Sequence, residues 1–311
     1  MRVGVIDCGT NSIRLLIADI DGNNFREVTR QMQVVRLGQG VDETNQFHPD
    51  ALERTFAAVD LYAAELARRG VEKIRFCATS ATRDATNRNI FIDGVKERLG
   101  IEPEVISGDE EARLSFAGAT REFSRTDGPF LVVDIGGGST EFVLGTDSVD
   151  TAISVNIGCV RMTERHFHND PPTADEIALA RRDIQNAIDI AYASVDIKSA
   201  KTLVCVAGTA TTVAAAALDL PEYDRYAIHL SRIQADQVHD VSKRFTSMTR
   251  DERAALGYMH PGRVDVIAAG SLVLSRVMLA TGATEFVASE SDILDGMAWA
   301  LSRAQTQEIE I

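Results

Sequence analysis

Leu131-Val-Val-Asp-Ile-Gly-Gly-Gly-Ser-Thr-Glu-Phe-Val-Leu-Gly145 decides how the rest of this chain is read. The apolar β-run Phe130–Val133 ends at a carboxylate, Asp134. Gly136, Gly137 and Gly138 follow, then Ser139, Thr140 and Glu141, and a second apolar run resumes at Phe142–Leu144. No N-cap or helical period follows the glycines, so the stretch predicts a strand–turn–strand hairpin rather than a strand–helix unit. Residues without a Cβ take positive φ readily, and their N–H groups close around an anion. Asp134 beside such a nest is placed to hold a divalent cation on the same anion. By itself a glycine-rich hairpin serves equally well as a tight turn.

A second copy stands near the N-terminus. Residues 7–17 read Asp-Cys-Gly-Thr-Asn-Ser-Ile-Arg-Leu-Leu-Ile. Laid over 134–144, Asp7 falls on Asp134, Gly9 on Gly136, Ser12 on Ser139 and Leu15–Ile17 on Phe142–Leu144, at a constant offset of 127 residues. Two unrelated hairpins would have to share the Asp, Gly and Ser by coincidence. An offset of one domain's length predicts a duplicated fold whose two phosphate loops face a shared cleft.

The chain has 311 residues, 45% of them hydrophobic and 25% charged, which is the balance of an ordinary globular protein with room for two domains. Its net charge of −14 argues against a general nucleic-acid or acidic-membrane binder. A polyanionic substrate remains compatible with that charge where basic residues are local. Arginine outnumbers lysine 27 to 5; its planar fork suits phosphate oxygens, although GC-rich genomes favour arginine codons as well. The N-terminus enters a strand directly, without a signal-peptide core, and no apolar run approaches the roughly 18 residues of a membrane span. Cys8, Cys77, Cys159 and Cys205 have no Cys-x-x-Cys spacing and read as reduced, buried thiols of a cytoplasmic protein.

Hydrophobic periodicity and turn residues predict strands at 2–8, 12–20 and 24–37, a helix at 51–69 stopped by Gly70, and a strand at 74–78 followed by a polar loop at 79–84. A helix at 89–99, a short strand at 104–106 and a helix at 109–123 complete the first half. Ser124–Pro129 is the expected boundary between domains 1–125 and 126–311, with the last helix, about 291–305, packing back on the first. Beyond it strands are expected at 130–134, 140–145 and 149–155, with a short helix at 159–167. A long helix to about 195 starts from a capping box of Thr173 and Glu176. A strand at 202–206 leads into a helix opened by Gly208–Thr212; helices at 231–246, 249–256 and 263–280, a strand at 285–288 and the last helix follow. Each half thus runs three strands, helix, strand, helix, the pattern of a duplicated α/β fold.

Both hairpins, with their order and spacing, resemble the actin, sugar-kinase and heat-shock-chaperone ATPase superfamily. Five further stretches resemble the exopolyphosphatase/guanosine pentaphosphate phosphohydrolase family: Ala78–Arg83, Ile106–Arg113, Ser154–Arg161, Val206–Thr209 and Arg263–Gly270. The resemblance spans nearly the whole chain and is to the short, two-domain form. It implies an actin-like (ribonuclease H-like) duplicated α/β fold and a hydrolase of phosphoanhydrides that needs Mg²⁺, with Mn²⁺ as a substitute. The implied substrate is inorganic polyphosphate or guanosine pentaphosphate, and the implied assembly a homodimer. One departure stands near the C-terminus, where relatives often carry Leu-Arg-Glu-Gly and this chain has Ile293-Leu-Asp-Gly296.

Roles follow residue by residue from the resemblance and from phosphoryl-transfer chemistry, which needs charge stabilisation and a water held in line. Gly9, Thr10, Asn11, Ser12 and Gly136–Thr140 would cradle the terminal phosphates, with Arg83 as a cationic contact. Asp7 and Asp134 would hold the metal, with Glu141 acting through water. Glu111, directly before Ala112, would be the general base. Glu110 reads as a favourable acid at a helix N-terminus, and Arg113 as its partner or that of Asp109. Arg161, Arg263 and Asp265 read equally well as functional and as structural groups, Gly208–Thr209 as a helix cap, His166 and His168 as a solvated helix end, and Trp299 as core. A phosphate or nucleotide sensor without turnover, and a sugar or carboxylate kinase, are the other classes these motifs permit.

Overall fold

Each hairpin begins a sheet of the same connectivity. The computed structural model describes the backbone of residues 1–309 and the side chains of residues 1–302; Glu310 and Ile311, the end of the second expected domain, lie outside the described residues. The chain forms two compact units, one of Met1–Gly118 with the segment from Ile293, the other of Ala119–Asp292.

In the first unit β1 (Arg2–Cys8), β2 (Ser12–Asp21) and β3 (Asn24–Val34) form an antiparallel meander. They are followed by α1 (Val41–Thr44), α2 (Pro49–Arg69), β4 (Lys73–Ala78), α3 (Ser80–Asp84), α4 (Arg88–Leu99), β5 (Glu104–Val105) and α5 (Gly108–Ala119). The strand order is β3-β2-β1-β4-β5, with β4 parallel to β1 and β5 parallel to β4. Alternation along the strands divides the core between the two sheet faces. Ile6, Cys8, Ile13, Leu15 and Ile17 pack against Val59, Tyr62 and Leu66 of α2 and Phe91 and Val95 of α4. Pro49 opens α2 and Gly70, at φ 63°, closes it.

The second unit comprises β6 (Phe130–Ile135), β7 (Thr140–Gly145), β8 (Val149–Val155), α6 (Cys159–His166), α7 (Ala174–Ser194), β9 (Thr202–Val206) and α8 (Ala207–Ala217). It continues with α9 (Arg225–Ile228), β10 (Arg232–Gln234), α10 (Ala235–Ser247), α11 (Arg250–Ala254), α12 (Ile267–Thr281) and β11 (Glu285–Ala288). Its order is β10-β11-β9-β6-β7-β8. Read from β8 inward, the first five repeat the order of the first sheet, and β10 adds an antiparallel edge. The last helix, α13 (Ile293–Ile309), belongs to the first unit. There Ile293, Leu294, Met297 and Trp299 cover Val3, Val5 and Leu16 on the sheet face away from α2, and Trp299 lies 5.4 Å from the Phe25 ring. The duplicated α/β fold expected from the paired hairpins is the one observed.

Several elements depart from expectation for identifiable reasons. β3 stops at Val34 because the next residues turn to hold the first hairpin's loop. The polar loop at 79–84 winds into α3, and α5 ends at Ala119 in a turn closed by Phe123 N–H on Thr120 O, 3.1 Å. The expected helix start at 231 is the edge strand β10, drawn out by pairing with β11. Arg263 lies in a 3₁₀ turn before α12. Ser124–Pro129 falls inside the second unit, where Lys201 Nζ donates to Thr126 O and Thr202 Oγ1 to Asp127 O, both at 2.7 Å. The capping box of α7 forms as expected: Thr173 Oγ1 accepts from Glu176 N–H and Glu176 accepts from Thr173 N–H. All four cysteines are free and buried. Among the described residues no helix is long and apolar enough to cross a membrane.

Gly296 fixes the seat of α5. A Cβ at that position would lie 2.0 Å from Leu114 O, a backbone atom that moves only with its helix. Gly296→Ala is therefore expected to destabilise the protein by about 2 kcal/mol, as overpacking does, and to lower the urea midpoint. An unchanged midpoint would show that α13 does not position α5.

Candidate active site

The turns of the two hairpins close in the same way. Gly9 N–H donates to Ser12 O and Gly136 N–H to Ser139 O, each at 3.0 Å. These two amides, expected on phosphate, are used inside their turns. Gly136, Gly137 and Gly138 do not take the positive φ expected of them; a Cβ on Gly136 would lie 3.1 Å from Ser139 O.

A support takes up the loop carbonyls. In the first unit Val35 and Arg36 amides donate to Asn11 O at 3.1 and 2.8 Å, and Gly38 N–H donates to Thr10 O at 2.8 Å. A Cβ on Gly38 would stand 2.2 Å from Thr10 Cγ2. In the second unit the start of α6 does this work. Cys159 N–H donates to Gly136 O at 3.0 Å, and Val160 and Arg161 amides to Gly137 O at 2.9 and 3.1 Å. Arg161 Nε donates to Gly138 O at 2.6 Å, and a Cβ on Gly158 would lie 2.4 Å from Gly137 O. Among the described residues the amides of Gly137, Gly138 and Ser139 donate to no backbone carbonyl. With the carbonyls held from one side, these N–H groups are the donors the loop has left to offer an anion. Thr140, expected on phosphate, is fully buried and donates its hydroxyl to Ile157 O at 2.7 Å.

Charge at the mouth of each hairpin is set by one cross-strand pair. Asp134 of β6 is directly opposite Glu141 of β7, and both are buried. Cross-strand partners project from the same face, so two carboxylates share one place. Ser154 Oγ donates to Glu141 Oε1 at 2.7 Å and orients it. Hard oxygen donors in this number suit Mg²⁺, which takes one or two carboxylates and fills its shell with water and substrate phosphate. The equivalent pair in the first unit is Asp7 opposite Arg14. Arg14 donates to Asp7 Oδ2 from Nε at 3.1 Å and from Nη2 at 2.6 Å. Asp7, expected as a metal ligand, is thus bound by a guanidinium. Among the described residues no three His, Cys, Asp or Glu side chains gather as a metal cluster.

Glu111 lies in the first turn of α5 with 9% of its surface exposed. Arg83, on α3, donates from Nη1 to Glu111 Oε2 at 2.7 Å and to Ile106 O at 3.0 Å. The cation expected on phosphate is therefore drawn to the candidate base and fixes its orientation. Its neighbours are otherwise engaged: Glu110 accepts from Arg75 at 2.6 Å, and the exposed Arg113 donates to Asp109 at 2.9 Å. Leu294 is buried in the core, and Asp295 accepts from Arg30 of β3 at 2.7 Å.

A second cluster forms at the end of β9. Val206 pairs with Asp134, and the next residue, Ala207, takes φ 66°, a left-handed conformation costly for a residue with a Cβ. Gly208 gives Arg263 its place, since a Cβ there would stand 2.4 Å from the guanidinium carbon. Arg263 donates to Thr212 Oγ1 at 3.0 Å, and Tyr223 OH donates to Thr211 Oγ1 at 2.8 Å. Burial, then the charge of Glu290, pushes the Tyr223 phenol up to about 12. Burial likewise pushes the Cys159 thiol up to about 11, which leaves it protonated and no nucleophile. Gly208, Thr209 and Arg263 were visible in the sequence; a left-handed alanine leaves no signal.

Comparison with known proteins gives this geometry relatives. Residues 16–298 match the model of the Ppx/GppA phosphatase family. Exopolyphosphatase 2 of Mycobacterium tuberculosis is 46% identical over 314 positions, covering 97% of this chain and 98% of that protein. A guanosine-5'-triphosphate,3'-diphosphate pyrophosphatase of Photobacterium profundum is 34% identical over 185 residues, 59% of this chain and 37% of that protein. The crystal structure of an exopolyphosphatase-like protein superposes with a TM-score of 0.94 at 45% identity, covering 98% of this chain and all of that one. With the match running through the second hairpin and the Glu111 helix, the chain belongs to the Ppx/GppA phosphatase family.

Proposed function

We propose that the protein is a Mg²⁺-dependent exopolyphosphatase that releases orthophosphate from the end of linear polyphosphate. The observation that carries this reading is the anchored loop, whose carbonyls are held by α6 while the Gly137–Ser139 amides remain for an anion. Thr10, Asn11 and Ser12 are the matching contacts in the first unit. Asp134 and Glu141 are the residues to hold the cation. When bound, Mg²⁺ would neutralise charge on the phosphoanhydride oxygens.

The chain's own residues supply the rest. Glu111 accepts a proton from the attacking water, and Arg83 keeps the carboxylate aimed. Water oxygen bonds to the terminal phosphorus, the bridging P–O bond breaks, and the shortened polyphosphate leaves with the bridging oxygen. Donors aimed at the phosphoryl oxygens stabilise the charge that develops there. The reading takes the enzyme as cytoplasmic and homodimeric, without nucleic-acid or membrane partners.

Guanosine pentaphosphate is the second substrate reading, favoured by the pyrophosphatase among the relatives; the same residues would cut its terminal 5′-phosphate. Steady-state orthophosphate release on both compounds with Mg²⁺ separates the two. The expected result is a higher kcat/KM on polyphosphate. Release from guanosine pentaphosphate alone would replace the substrate, and release from neither would reject the hydrolase reading.

Two variants test the roles. Glu111→Gln is expected to lower kcat by about 10²- to 10⁴-fold, the range for general-base catalysis, with KM little changed. Full activity would remove Glu111 from the mechanism. Gly158→Ala is expected to raise KM for polyphosphate by about tenfold or more, because its Cβ displaces Gly137 and misaligns the donors that hold the substrate. An unaltered KM would mean that this loop does not bind substrate.

A further inference from the structure

Strands β6, β9 and β11 run parallel, and β6 leads into the Gly136–Ser139 loop. Where these strands begin, at the other end of the second unit's sheet, lies a cavity of about 300 Å³. Leu131 and Leu203 line it from β6 and β9, and Arg232 and Glu285 from β10 and β11. Lys198 and Lys201 line it from the segment that links α7 to β9. At a rise of about 3.3 Å per residue, Leu131 is about 10 Å from Asp134 along β6.

The charge of this cavity is opposite to that of the chain. Glu285, the one carboxylate on its lining among the described residues, accepts from Arg232 and, at 2.9 Å, from Gln234 Nε2. That acid and that guanidinium offset each other, and two ammonium groups remain. Lys201 Nζ donates to Thr126 O at 2.7 Å, a bond that aims the group and leaves its charge. Lys198 Nζ lies 5.6 Å from the centre of the Tyr192 ring. Among the described residues neither lysine forms an ion pair. Two of the five lysines in a chain of net charge −14 thus stand at one cavity. On the same lining, the amides of Lys198, Ala200 and Thr284 donate to no backbone carbonyl among the described residues. Ammonium groups and N–H donors on one surface suit phosphate oxygens.

We propose that this cavity is a second anion site, which holds a distant stretch of the polyphosphate chain whose end is being cut. The proposal rests on the exopolyphosphatase reading for its substrate. A short phosphate anion occupies one site or the other, whereas a chain long enough to reach both ends of the sheet binds twice through one molecule. Its second contact is intramolecular and gains affinity through effective concentration. The cavity therefore sets a preference for long chains and leaves the chemistry alone, because it lies away from the Gly137–Ser139 amides.

The test compares wild type with Lys198→Ala/Lys201→Ala on long-chain polyphosphate and on tripolyphosphate, with Mg²⁺. The KM for the long chain is expected to rise by about tenfold or more, with kcat and the KM for tripolyphosphate within about twofold of wild type. An unchanged long-chain KM, or an equal rise on both substrates, would overturn the proposal. Should loss of the Lys201–Thr126 bond unfold the double variant, Lys198→Glu, on an exposed side chain, makes the same comparison. Binding of end-labelled long-chain polyphosphate without Mg²⁺ reads the cavity independently of turnover. Binding weakened about tenfold by the substitutions, in a protein that releases no orthophosphate, would reject the hydrolase reading and keep the site. Release from long chains with the same KM in wild type and variant would keep that reading and reject the site.

Discussion

A backbone amide can receive phosphate only if the carbonyls of the same loop are held elsewhere, and this requirement organises both halves of the molecule. Without such an anchor a short loop satisfies its own polar groups internally or presents oxygen to the ligand. Here the residues after the third strand of each sheet supply the anchor: Val35–Gly38 in the first unit and Gly158–Arg161 in the second. Neither segment touches substrate in the proposed mechanism, yet each fixes which way the loop faces. Gly38 and Gly158 are glycines because the anchoring segment comes within reach of the loop itself, where a Cβ has no room.

Placing donors is half of the site; placing charge is the other. A chain of net charge −14 has to bind a polyanion against its own field. Local pairing offsets part of that field. Guanidinium groups are set against acids at Arg14–Asp7, Arg83–Glu111 and Arg75–Glu110, each with an N···O distance of 2.6–2.7 Å. Arg83 and Arg14 each hold an acid in place, and neither is a bare surface cation. The candidate base is in turn carried by a helix whose seat depends on the close contact between Gly296 and Leu114, so core packing and catalytic geometry are joined in α5.

Much of this was legible from residues alone. The Asp-Gly-Ser coincidence at a fixed offset gave the duplication, because the period-2 apolar runs around it admit only strands. The Thr173–Glu176 box and Gly70 marked helix ends by local chemistry that needs no tertiary partner. What escaped depends on neighbours distant in sequence. Arg83 was expected on phosphate because a polar residue after a strand end has no visible partner, whereas Glu111 lies on a helix beyond another helix and strand. Arg14 was passed over because the overlay followed the residues that match, whereas its bond to Asp7 lies at the position where the two copies differ. Arg232–Gln234 became a strand through pairing with β11, a contact its own helical pattern does not announce. Ala207 in a left-handed conformation is held there by the β9–α8 junction and leaves no trace in composition.

The central claim is that the anchored loops, rather than arginine side chains, hold the phosphate. A crystal structure of the protein with orthophosphate tests it most directly. The account predicts phosphate oxygens within about 2.7–3.2 Å of the Gly137, Gly138 or Ser139 amide nitrogens, with the bonds from α6 to the loop carbonyls intact. Phosphate held by arginine guanidinium groups away from that loop, or a loop whose carbonyls turn to the ligand, would contradict it.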